Sequence, residues 1–152
     1  MSNREEGEMS DWDEQEQRIL AVIGDEDVEG DEAYRRWYEY LSSRLVLPCD
    51  VTGIEDFQWE EFYVLGPGDK AEYKRLQKNR PSYKDVFELT SISLDSESRW
   101  CTFPDELLKA HVRRKTDGKK FVLGLSDLKA TSKGSEAYRL LHDYAVWLVN
   151  YR

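Results

Sequence analysis

Cysteine and histidine are scarce, at two each in 152 residues. Cys49 and Cys101 stand far apart, and neither has the short-spaced Cys or His partners of a zinc site. The N-terminus lacks the basic stretch and apolar run of a signal peptide. Both thiols are therefore expected to stay reduced and to behave as small apolar side chains. His111 lies between Ala110 and Val112, and His142 precedes Asp143. Adjacent helix residues do not face each other, so no His–Asp dyad follows from the second pair. Glycine-rich phosphate loops, nucleophile elbows and His/Glu metal motifs are also missing, so the chain reads as non-enzymatic. No apolar run approaches the roughly 18–20 residues of a membrane span. A cytoplasmic protein with no membrane partner is expected.

What the chain does have is aromatic area and charge. Five Trp, nine Tyr and five Phe supply a compact interior despite a mean hydropathy of −0.76. The length suits one folded unit. The net charge of −9 is unevenly placed. Residues 1–32 carry 13 acidic and two basic side chains, whereas residues 33–152 carry 18 and 20. This divides the chain into an acidic, largely flexible segment over 1–31, with a helix over 11–23, and a single α+β unit over 32–152. Residues 1–10 are polar and free of aromatics, and are expected to be disordered. The segment 1–31 is expected to be dispensable for folding.

Periodicity outlines the rest. Ser10 can cap the helix over 11–23, and Gly24 stops it. Ala33, Trp37, Tyr40 and Leu41 share one face of a helix over 32–45. Pro48 then begins extended chain. Residues 57–65 read as a strand ended by Gly66-Pro67-Gly68, and 69–78 as a short helix. A strand follows over 86–94, then a hairpin over 107–125 turning at Asp117-Gly118. A final helix spans 134–150, with Tyr138, Leu141, Ala145 and Leu148 at 3, 4 and 3 spacing. The predicted fold is α+β: a bent antiparallel sheet or small open barrel, with an N-terminal-side helix, an inserted short helix and a C-terminal helix.

Two acidic stretches compete as metal sites. Asp25, Asp27, Glu29 and Gly30 match positions 1, 3, 5 and 6 of an EF-hand loop, but position 12 is Arg36. A cation there removes two ligand oxygens and repels calcium, so the stretch reads as a solvated linker. The second stretch holds Asp50, Glu55, Asp56, Glu60 and Glu61, with no Lys or Arg over 50–61. Such loop carboxylates, with backbone carbonyls, match the six to eight oxygens that calcium takes. Gly53 would let the backbone approach an ion. Glu60 and Glu61, on the predicted strand, would point to opposite faces. Arg113, Arg114, Lys115, Lys119 and Lys120 flank the hairpin turn. Only Phe121 offers a stacking ring beside them, which reads as a solvated hairpin tip and argues against a nucleic-acid partner.

Two blocks carry a family likeness. One is Trp37-Tyr38-Glu39-Tyr40-Leu41 followed by Leu47-Pro48; the other is Leu123–Leu128 followed by a helix holding Trp147. Together they resemble the small cyanobacterial-type calcium-binding proteins, the CcbP-like family, although Leu47 and Cys49 stand where that family has aromatics. The resemblance implies a calcium buffer or sensor that uses no EF-hand. Its matched residues are scaffold, so the ligand set Asp50, Glu55, Asp56, Glu60 and Glu61 comes from the acidic loop alone. The expected function is non-enzymatic binding of calcium ion (Ca2+). The competing expectation is a protein-interaction module with an acidic regulatory tail, a protein partner and no metal.

Overall fold

The computed structural model describes residues 11–24, 28, 30–96 and 100–151. Asp25, Glu26, Asp27 and Glu29, the core of the EF-hand-like stretch, lie outside the described residues, as do residues 1–10. The helices are α1 (Asp11–Ile23), α2 (Gly30–Arg44), α3 (Glu61–Val64), α4 (Lys70–Leu76) and α5 (Glu136–Tyr151). The strands are β1 (Cys49–Gly53), β2 (Val86–Leu94), β3 (Leu108–Arg114), β4 (Lys120–Gly124) and β5 (Leu128–Ala130). Short 3-10 turns cover Gln58–Glu60 and Leu125–Asp127. The architecture is α+β, with one open, wholly antiparallel sheet in the order β4-β3-β2-β1-β5.

Alternation along the strands sets the buried face of the sheet. Val51, Phe87, Leu89, Ile92, Leu108 and Ala110 point into the core. A register shift between Leu89 and Ser91 explains why the apolar alternation in β2 is only partial. Helices α2 and α5 cover the sheet, and α1 packs against both. In α5 the buried stripe is Leu140, Leu141, Tyr144, Trp147 and Leu148, while Tyr138 is only half-buried and stacks on His142. Trp147 meets Tyr34 edge-on at 5.1 Å and lies 6.0 Å from Trp37, so the aromatic residues of α2 and α5 form one cluster.

The packing of α1 speaks against the expectation that 1–31 is dispensable. Ile19 and Ile23 are each 1% exposed and belong to the main core. Asp143, 2% exposed on α5, accepts from Gln15 Nε2 at 2.9 Å and from Arg18 Nε at 2.7 Å. The acidic excess concealed two buried isoleucines and a part-buried ion pair. Trp12, by contrast, is exposed.

The predicted strand over 57–65 is a 3-10 turn running into α3. The apolar run alone could not distinguish the two states. What decides it is Glu60, which is 0% exposed. Its carboxylate accepts from Phe57 N at 3.2 Å, Tyr83 N at 2.8 Å, and the hydroxyls of Tyr73 and Ser82 at 2.6 Å each. One carboxyl group thereby ties the turn, α4 and the 81–85 segment together, and its burial is supported by four donors. The close backbone approach at Gly53 is to Tyr83 rather than an ion: a Cβ there would lie 2.6 Å from the Tyr83 Cα.

Candidate functional site

The five acidic residues singled out in the sequence divide into three groups. Asp50, on β1, faces Lys115, whose ammonium donates to both carboxylate oxygens at 3.1 and 3.2 Å. Glu60 is committed to the hydrogen bonds above. Glu55, Asp56 and Glu61 line a cavity of about 410 Å³ between the β1–α3 loop and the C-terminal half of α5. The alternation that would have separated Glu60 from Glu61 acts instead through the turn: Glu60 points inward and Glu61 is exposed.

A fourth carboxylate joins them, Asp127, which the sequence reading missed. It lies in the 3-10 turn Leu125–Asp127, which follows the end of the hairpin. Ile54 N donates to the Asp127 carbonyl at 3.0 Å, and β1 pairs with β5 from Gly53↔Leu128 onward. These bonds place the acidic loop beside a residue some seventy positions later. The available signal was the polar Ser126-Asp127 pair inside an otherwise apolar segment.

The electrostatics of the cavity are one-sided. Its wall contains four acidic residues and no Lys or Arg. Among the described residues, no ion pair involves Glu55, Asp56, Glu61 or Asp127. Burial raises the Asp127 carboxyl above its usual range and the Glu55 charge adds to that, against a hydrogen bond from Thr102 N at 3.1 Å. A cation in the cavity would relieve this repulsion. Among the described residues, no group of three or more His, Cys, Asp or Glu side chains is already gathered to hold a metal ion. The donor chemistry is mainly that of a hard cation: the other polar wall residues are Thr102, Ser126 and Asn150, with His142 the one imidazole among them. Closing a shell would require the carboxylates of the loop to draw toward Asp127.

Beneath the cavity floor is another carboxyl, Glu106, fully buried. It accepts from Ser126 N and Ser126 Oγ at 2.9 Å each and from the Tyr144 hydroxyl at 2.5 Å. It packs against Gly124, where a Cβ would lie 2.5 Å from its Oε1. Desolvation outweighs these donors and pushes the carboxyl up to about 7 from an ordinary 4.5. The folded state therefore holds this proton more tightly than the unfolded chain does. The associated stability is complete below about pH 4.5 and is lost as pH rises through about 7. That loss is on the order of 3 kcal/mol for a shift of this size. Denaturant melts of wild type and Glu106→Gln at about pH 5 and pH 8 should show a smaller pH-dependent loss in the variant. Equal losses in both proteins would place the proton elsewhere.

Several other charged side chains are engaged within the fold. Arg114 is buried and donates to the carbonyls of Gln77, Lys78 and Arg80 and to the carboxylates of Asp85 and Asp117. Arg113 pairs with Glu88 and Lys115 with Asp50, so three cations of the hairpin run are engaged within the fold. His111 Nε2 is 2.7 Å from Ser93 Oγ, and His142 Nδ1 is 3.1 Å from Gln15 Nε2. Arg36, at the failed EF-hand position, pairs with Glu32 at 3.0 Å. Both cysteines are free. No helix among the described residues is long and apolar enough to cross a membrane.

No protein-family model matches the chain, and no curated protein matches it in sequence. Two solved structures share its fold. The crystal structure of Anabaena CcbP aligns over 93% of this chain and 94% of its own, with 16% identity and a TM-score of 0.56. A calcium-binding protein in its calcium-binding form aligns over 100% and 99%, with 18% identity and a TM-score of 0.57. The chain therefore has a CcbP-like fold.

Proposed function

We propose that this protein is a non-enzymatic calcium-ion binder, a buffer or sensor, whose site is the cavity between the β1–α3 loop and α5. The observation that carries the proposal is the cavity wall itself: Glu55, Asp56, Glu61 and Asp127 with no Lys or Arg among them. Two solved structures of the same fold, one described as a calcium-binding protein in its calcium-binding form, support it. Calcium takes six to eight oxygens in flexible geometry, which carboxylates on a connecting loop can provide together with backbone carbonyls and water. Asp50 and Glu60 are left out of the ligand set, because Lys115 and the Glu60 hydrogen bonds already engage them. Magnesium should compete poorly, since it demands tighter octahedral geometry and dehydrates reluctantly.

The test is titration calorimetry on the full chain, with calcium injected into wild type and into Glu55→Gln/Asp56→Asn/Glu61→Gln. A saturable heat is expected for wild type, with affinity at least about tenfold weaker in the triple variant, a difference of about 1.4 kcal/mol. Two indistinguishable isotherms would remove the cavity as the site. No heat in either protein would remove calcium.

A further inference from the structure

The same cavity has a character that an ion does not explain. Ile54, Phe103, Ala145, Val146 and Val149 share its wall with the carboxylates. Ile54 is 40% exposed and Val149 68%, so two large apolar side chains at this opening meet solvent. Apolar groups ligate no cation, and their exposure around a concave surface costs free energy that a partner could recover. We infer that the cavity is a docking surface for a basic amphipathic helical segment of a protein partner. An apolar side chain of that segment enters between Ile54, Val146 and Val149, and its Lys or Arg residues face Glu55, Asp56 and Glu61.

Charge decides the occupant. An apolar groove with an acidic rim selects a helix whose apolar face is bordered by cations. A second copy of this chain would bring its own net charge of −9, and anionic lipid or nucleic acid would meet the same rim with like charge. Glu55, Asp56 and Glu61 have no cationic partner among the described residues, so the rim is not already neutralised by the fold. The volume, about 410 Å³, lies within the roughly 300–1,000 Å³ of small-ligand sites and leaves room for side chains of a docked helix. The inference shares its carboxylates with the calcium proposal but stands on the apolar wall, independently of any metal.

The experiment is fluorescence anisotropy of a labelled designed helix, leucine on one face and lysine on the other, titrated with the full chain in EDTA. A twin with glutamate for lysine is run beside it. Saturable binding of the lysine helix and none of the twin is expected. Val149→Lys puts a cation at the rim on a mostly exposed position, so it should fold and weaken binding at least about tenfold. Glu55→Gln/Asp56→Asn/Glu61→Gln should do likewise. Glu14→Gln/Asp31→Asn/Glu39→Gln removes equal charge from exposed positions elsewhere and should change affinity less than about twofold. The inference fails if the lysine helix does not bind, if Val149→Lys is without effect, or if the two triple variants weaken binding equally. Because EDTA removes calcium, these results are separate from the calorimetric ones.

Discussion

Deleting residues 1–31 is expected to cost at least about 5 kcal/mol, enough to leave the remainder unfolded or barely folded. Two terms add. Withdrawing Ile19 and Ile23 exposes the apolar surface they cover, at about 1.5–3 kcal/mol for each buried side chain. Removing Gln15 and Arg18 strips Asp143, which is 2% exposed in the intact fold, of these donors. Breaking a fully buried ion pair from one side costs about 3–5 kcal/mol; here Arg18 is partly exposed and water reaches the carboxylate once α1 is gone, so this contribution is smaller. Domain stabilities are themselves only about 5–15 kcal/mol. Circular dichroism of residues 32–152 beside the full chain checks this. A truncated protein melting within a few degrees of wild type would show that α1 contributes nothing to the body.

Trp147→Ala is expected to destabilise the fold by about 3–5 kcal/mol. The ring is 2% exposed and lies against Tyr34, Trp37 and Tyr144, which join α2 to α5. Truncation to a methyl group opens a cavity among rigid rings that have few alternative rotamers with which to fill it. Urea unfolding followed by far-UV circular dichroism gives the difference directly. A loss below about 1 kcal/mol would mean that the ring contributes little to the core.

The parts of the fold that sequence patterns made legible are those where local and tertiary signals agree. The strand over 86–94 coincides with β2, and the hairpin closes at Asp117-Gly118, where Gly118 adopts φ +78°. The single strand read over 57–65 is a turn and helix because Glu60, an acidic residue in an apolar run, is the buried hub of four hydrogen bonds, and nothing local announces its partners Tyr73, Ser82 and Tyr83. The three-residue strand β5 was invisible within a longer apolar segment. The candidate site was half legible for the same reason. Glu55, Asp56 and Glu61 stand out because the loop around them has no cation, but the fates of Asp50 and Glu60 depend on Lys115 and on the 81–85 segment, both distant in sequence. Asp127 reaches the cavity only through the β1–β5 pairing. Charge counting also hid the place of α1 in the core, since thirteen acidic residues up to Glu32 outweighed the two isoleucines, Ile19 and Ile23, that are buried there.

The most direct measurement of calcium binding at this cavity is a two-dimensional amide NMR titration of the full chain with calcium. The expected result is saturable shifts concentrated at residues 54–56, Glu61 and Asp127, with the cores of β2 and β3 unmoved. Small, unsaturable shifts spread over the acidic residues before Ala33 would instead mean diffuse counterion binding, and would contradict a site between the β1–α3 loop and α5.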